Sequence, residues 1–257
     1  EEEPHLPFID SQEDITAMHD QYAQFGISPA VRGFAERALE ALRSRFDEID
    51  RVAEHNQLKV IRAMQQNRVA QMHLSGTTGY GYDDAGRDTL ERVYAALFHT
   101  EAALVRPQIT CGTHALALAL SANLRPGDEL LSPAGKPYDT LEGVIGIRPE
   151  PCSLAEYGVS YRQVELLEGG AFDYDAIRAA IGGNTKLATI QRSKGYQTRP
   201  TFSVSQIGEL IGFLKSVKPD LTVMVDNCYG EFVEEIEPSD VGADMTVGSL
   251  IKNPGGG

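Results

Sequence analysis

An acid, Asp226, follows the apolar run Leu221-Thr222-Val223-Met224-Val225, and a lysine, Lys252, follows the run Thr246-Val247-Gly248-Ser249-Leu250-Ile251. Delivered by neighbouring strand ends, the two side chains would face one crevice. Upstream, Ile109-Thr110-Cys111-Gly112-Thr113-His114 reads as a small turn opening a helix. The free amide N–H groups at such a start make an anion site. Tyr138 sits in a loop containing Pro and Gly, available as a flat surface. An anion cradle, an acid, an amine and an aromatic plane together match the needs of pyridoxal 5'-phosphate.

In that arrangement the amides of Gly112 and Thr113 and the hydroxyl of Ser249 would hold the phosphate, and Tyr138 would stack on the ring. Asp226 would keep the ring nitrogen protonated, so that the ring accepts electrons from a carbanion. Lys252 would carry the cofactor covalently. A free lysine titrates near ~10.4, so its amine needs partial burial to be neutral and nucleophilic. Taken singly, each residue has a plainer role. Asp226 could end a strand as a turn or cap residue, Lys252 could lie on the surface and Tyr138 could be a packing residue. The Gly112 turn is common and Ser249 alone carries nothing. Order and strand-end placement together make the pattern specific.

The elements that must position these residues change character near residue 75. Residues 1–75 read as a helical arm. Ser28-Pro29 supplies an N-cap and a first-turn proline, and Phe34, Leu39, Leu42, Phe46, Ile49, Val52, Leu58 and Ile61 form an imperfect helical stripe suited to lying across another surface. From residue 76 to 257, short β-like runs at 102–105, 129–132, 160–164, 187–191, 221–225 and 245–248 alternate with helical patterns at 89–98, 113–123, 140–145, 174–181 and 204–217. Such alternation predicts an α/β domain with a mostly parallel sheet. Function in such sheets gathers at the carboxyl ends of the strands.

Composition narrows the function classes. Across 257 residues, 23 basic groups stand against 37 acidic ones, a formal charge of −14 that repels phosphate backbones and anionic lipid. Neither nucleic acid nor a membrane is expected as a partner. Three cysteines without CxxC spacing give no disulfide framework and no zinc site, which fits a reducing, cytoplasmic setting. GxxxxGK[ST], GxGxxG, HExxH and GxSxG are all missing. The six scattered histidines read as surface or structural residues, with no metal expected.

The chain resembles fold-type I pyridoxal-phosphate enzymes of the methionine gamma-lyase and cystathionine lyase group, above all the branch linked to aluminium resistance. The residues that carry the resemblance are those at 78–91, Cys111-Gly112-Thr113-His114-Ala115, Val225-Asp226-Asn227-Cys228-Tyr229-Gly230-Glu231 and those at 249–257. It implies a large α/β domain, its mostly parallel sheet flanked by helices. Lys252 matches the Schiff-base lysine, Ser249 the phosphate serine, Asp226 the acid under the ring nitrogen and Tyr138 the stacking aromatic. Gly112 and Thr113 match the phosphate loop, with His114, Arg192 and Ser193 in the same cofactor-binding set. Tyr80 and Tyr82 fall where relatives reach the cofactor phosphate of a neighbouring subunit, which implies a homodimer or homotetramer.

Three departures accompany the resemblance. Tyr82 stands where relatives have arginine, so one phosphate charge must be balanced elsewhere. Gln191-Arg192-Ser193 replaces a strand-end asparagine, and Arg192 could restore that charge or form a surface ion pair. Relatives continue past the lysine into a smaller domain bearing the arginine for the substrate carboxylate. Five residues follow Lys252 here, so the large domain is expected to be cut after the cofactor lysine. The expected activity is carbon–sulfur lysis of a sulfur-containing amino acid, with catalytic roles for Lys252, Asp226 and Tyr138. Transamination or racemisation would use the same ring-handling residues. A non-catalytic oligomeric module, or a magnesium-dependent phosphate binder using Asp226, are the alternatives from other classes.

Overall fold

Residues 21–76 and 82–253 are described by the structure, a computed structural model. They divide into two compact units between Arg51 and Val52. A long helix α1, Pro29–Gln66, begins in the first and ends in the second. Its start is capped as the sequence predicts: the Val31 amide donates to Ser28 Oγ at 3.3 Å. Within the first unit the apolar stripe is open to solvent, with Phe34, Leu39, Leu42, Phe46 and Ile49 all exposed.

The second unit is a five-stranded sheet with helices on both faces. Its strands are β1 (Glu129–Ser132), β2 (Ser160–Gln163), β3 (Thr185–Gln191), β4 (Thr222–Asp226) and β5 (Met245–Val247). They are ordered β2-β1-β3-β4-β5, and all pairs are parallel. Parallel neighbours need a crossover between them. The helices are α2 (Ala85–Leu97), α3 (Gly112–Asn123), α4 (Asp139–Ile145), α5 (Tyr174–Ala180) and α6 (Val204–Val217). The chain leaves β1 towards one sheet edge and β3 towards the other, so the reversal of strand order lies between β1 and β3. A crevice at the carboxyl ends follows from that topology.

Side-chain alternation sorts the core into two layers. Leu131, Ala188, Ile190, Val223 and Val225 pack on one face, against Ile207, Leu210, Ile211 and Leu214 of α6 and Ile177 of α5. Leu130, Leu187 and Met224 point the other way, against Leu116 and Leu120 of α3 and Leu141 and Ile145 of α4. Helix α6 buries positions spaced three and four apart and opens with a reciprocal cap between Ser203 and Gln206. A third, smaller cluster joins Ala63 of α1 to Val93 and Leu97 of α2.

The predicted strand at 102–105 does not form. Its amide donor at Val105 goes to the Glu91 carboxylate of α2 at 3.0 Å, so the segment is tied to a helix and not to a ladder. Among the described residues, no helix is long and apolar enough to cross a membrane.

Candidate active site

Three strand ends lie in one row. Gln191 of β3 is in register with Asp226 of β4, and Asp226 with Val247 of β5. Asp226 is 6% exposed, and its Oδ1 accepts from the Cys228 amide at 3.1 Å. Burial pushes its carboxyl above the ordinary carboxylate range, while the Cys228 hydrogen bonds and the charge of Lys252 pull it back. A carboxylate held this deep is stabilised as an anion by a cation brought against it. The Cys228 thiol is itself pushed up to about 12, first by burial and then by Asp226.

β5 runs into Gly248 and a tight turn in which the Lys252 and Asn253 amides both donate to the Ser249 carbonyl, at 2.9 and 3.3 Å. Nζ of Lys252 lies 4.8 Å from the centroid of the Tyr229 ring. Lys252 as a whole is exposed, so the partial burial expected of a neutral amine is not supplied by the described residues alone. Tyr229 holds φ at +72° and Phe232 at +60°, left-handed values that aromatic residues adopt at a cost of about 1–3 kcal/mol each. The loop after β4 thus carries strain beside the acid and the lysine.

The third component arrives from α3. Its N-cap, Cys111, makes no side-chain cap hydrogen bond. A Cβ built on Gly112 would lie 3.4 Å from Cys228 Sγ, 3.8 Å from Ser249 Cβ and 3.9 Å from Lys252 Nζ. The bare start of α3, the serine and the lysine therefore surround one small space. Thr113 shares a 2.9 Å hydroxyl hydrogen bond with Thr140 of α4. Tyr138, just before α4, packs on Tyr196 with ring centroids 5.8 Å apart, and hydrogen bonding to Tyr196 is the main reason its phenol is pushed up to about 12. Gly195 makes this possible: φ is +56°, and a Cβ there would stand 3.0 Å from the Tyr138 ring.

Gly112, Ser249, Lys252 and Asp226 are thus brought together, with Thr113 next in α3 and Tyr138 at the start of α4. The other sequence candidates are placed differently. His114 turns back on its own loop, where its Nδ1 accepts from the Thr110 amide at 3.3 Å. The Ser193 carbonyl accepts from Gln191 Nε2 at 2.9 Å and from Arg199 at 2.6 Å. Tyr82 is 85% exposed, and Tyr80 lies outside the described residues.

Arg192 does form an ion pair, with Glu234, but from a buried position. It is 2% exposed and donates to Asn227 Oδ1 at 2.8 Å, the Gly230 carbonyl at 2.7 Å, Glu234 Oε1 at 2.5 Å and the Phe202 carbonyl at 3.3 Å. Its guanidinium fastens the loop after β4 from within, so its charge is committed there. Asn227 passes the network on to buried Glu237 at 2.9 Å.

Gln191, Tyr229 and Glu231 were not singled out as site residues from sequence. Gln191 could have been: it ends the apolar run of β3 as Asp226 ends that of β4. Its Oε1 is buried without a hydrogen-bond partner. An orphaned acceptor beside a buried acid, and an uncapped helix start beside a serine and a lysine, fit a phosphorylated, nitrogen-containing ring bearing a hydroxyl. Gly112, Thr113 and Ser249 would face the phosphate of such a ring, Asp226 its nitrogen and Gln191 its hydroxyl, with Lys252 beside them.

Comparison with known proteins identifies the family and the fold. The uncharacterized protein YnbB of Bacillus subtilis (strain 168) is 54% identical over 212 residues, which cover 82% of this chain and 50% of that protein. A Listeria innocua crystal structure, of a proposed cystathionine beta-lyase involved in aluminium resistance, is 54% identical with a TM-score of 0.86, covering 88% of this chain and 56% of that one. The structure of a carbon-sulfur lyase involved in aluminium resistance from Clostridium novyi NT is 41% identical, also with a TM-score of 0.86, covering 91% of this chain and 56% of that one. The chain therefore spans about half the length of these relatives, and its sheet is the fold-type I large domain. The family model for methionine gamma-lyase matches residues 31–257, and the chain belongs to that family.

Proposed function

We propose that the protein is a carbon–sulfur lyase of sulfur-containing amino acids, using pyridoxal phosphate held on Lys252. The observation that carries this is the space shared by Gly112, Ser249 and Lys252, bordered by the buried thiol of Cys228 next to Asp226. Lyase chemistry on a sulfur substrate is supported by the family and by the Clostridium novyi relative. When bound, the cofactor supplies an electron sink for the pair left at the substrate α-carbon.

The chain's own residues would do the rest. The amides of Gly112 and Thr113, at the positive end of α3, orient the phosphate together with the Ser249 hydroxyl. Asp226 would keep a proton on the ring nitrogen, and that cation would offset the cost of burying the carboxylate. Tyr138 presents its flat face to the ring. Lys252 Nζ would take the α-proton and later give it to the departing thiol sulfur.

A homo-oligomer completes the proposal. The open apolar stripe of the first unit would be covered by a neighbouring copy, with Tyr80 and Tyr82 reaching the neighbour's site. Cys111, Cys152 and Cys228 are all free thiols, which supports a reducing, cytoplasmic setting. The test uses the full-length protein with added pyridoxal phosphate. A visible absorption band, lost in Lys252→Ala, and thiol plus keto acid released from a sulfur-containing amino acid are expected. A colourless protein, or keto acid formed without any thiol, would refute it.

A further inference from the structure

Glu231 has no part in the chemistry above, yet it is a carboxylic acid 2% exposed. Its Oε1 accepts from the Ser249 amide at 2.5 Å, and its backbone carbonyl accepts from the side-chain amide of Asn253. Its Oε2 is buried with no hydrogen-bond partner. A Cβ on Gly248 would come within 2.6 Å of Oε1, so the glycine is what lets the carboxylate reach the turn. One residue thus grips the turn that carries Lys252 at both ends, Ser249 by side chain and Asn253 by main chain.

Glu231 is in turn held from two sides. The preceding carbonyl, of Gly230, takes a hydrogen bond from Arg192. The following residue, Phe232, donates its amide to Glu237 at 2.8 Å and accepts at its carbonyl from Asn56 of α1 at 3.1 Å. The position is therefore rigid and belongs to the framework, while the turn it grips is partly exposed. Burial and the nearby charges of Glu237 and Asp226 make an anion costly here, opposed by the Ser249 amide.

We propose that Glu231 is a positioning residue that fixes the turn 249–253, and with it the Ser249 hydroxyl and the Lys252 amine, against Asp226 and the start of α3. This rests on the assignment of Lys252 as the cofactor-bearing residue. The test uses full-length protein stripped of cofactor, pyridoxal phosphate as probe, and borohydride reduction followed by peptide mass to measure the rate of trapping at Lys252, with melting temperature recorded alongside. Glu231→Ala is expected to slow trapping by about tenfold or more. Glu231→Gln keeps an acceptor for the Ser249 amide and is expected to restore the rate to within about threefold of the parent. Asn253→Ala removes the second grip and is expected to slow trapping by about threefold or more without unfolding.

Trapping in Glu231→Ala at the parent rate, or a Gln variant as slow as the Ala variant, overturns the proposal. Should Glu231→Ala fail to fold, Asn253→Ala decides: an unchanged rate overturns it. If the parent itself traps nothing at Lys252, the assignment of Lys252 has failed, a result distinct from parent and variants trapping alike.

Discussion

A methyl group added at Gly112 separates folding from cofactor binding. In Gly112→Ala the new Cβ meets Cys228 Sγ at 3.4 Å, Ser249 Cβ at 3.8 Å and Lys252 Nζ at 3.9 Å, all ordinary contact distances. The position has no positive φ, so alanine fits the backbone. Helix preference favours alanine over glycine by up to about 1 kcal/mol, and one buried methyl adds a similar amount at most. The cofactor-free protein should therefore melt about 2 °C higher. The same methyl stands where a phosphate oxygen must come within about 2.9 Å of the amides. Loss of one charge-assisted hydrogen bond, about 1.5–3 kcal/mol, weakens pyridoxal phosphate about ten- to hundredfold. Thermal scans and absorbance titration of the full-length protein measure both. A higher melting temperature with unchanged cofactor affinity would show that the phosphate does not sit at the start of α3.

Arg192→Ala should lose about 3–5 kcal/mol in chemical denaturation, because Asn227, Glu234 and two carbonyls are left facing a buried gap; a loss below about 1 kcal/mol would refute the clamp. Leu210→Ala in α6, 0% exposed in the parent, should cost about 2–5 kcal/mol by the same measurement, and a smaller cost would mean the layer collapses to fill the cavity. Asp226 sets a pH dependence. Its folded value is raised, so its stabilising contribution is complete below the unfolded value of 3.8 and is lost as pH climbs through the folded value. In the cofactor-free protein, Asp226→Asn should flatten that decline and gain stability at pH 7, while the same substitution should abolish activity once cofactor is added; parallel stability profiles of parent and variant would contradict the desolvation.

The sheet was legible because its strands are short apolar runs with an unambiguous end. Leu221–Val225 could end only at Asp226, and β4 runs Thr222–Asp226. The segment at 102–105 is also apolar, but its Val105 amide is taken by Glu91, a partner in another element that no local pattern announces. Arg192 was opaque for a related reason. Its partners Asn227, Gly230 and Glu234 follow more than thirty positions later, and only the pairing of β3 with β4 brings them beneath it. Tyr229 was hidden by its backbone, since a left-handed tyrosine points where an extended one would not. Gln191 was visible in principle, as the strand-end polar residue one strand over from the acid.

The row formed by Gln191, Asp226 and Val247 carries a lesson about descent. Because neighbouring residues of a pleat face opposite ways, inserting or deleting a single codon within 222–226 would swing the acid through the sheet to the wrong side. A register shift is absorbed where β1 meets β3, away from the acid, while the β3–β4 pairing that aligns Gln191 with Asp226 runs without one. Change of length is therefore tolerated far more readily in the connections than in the strand that delivers the acid.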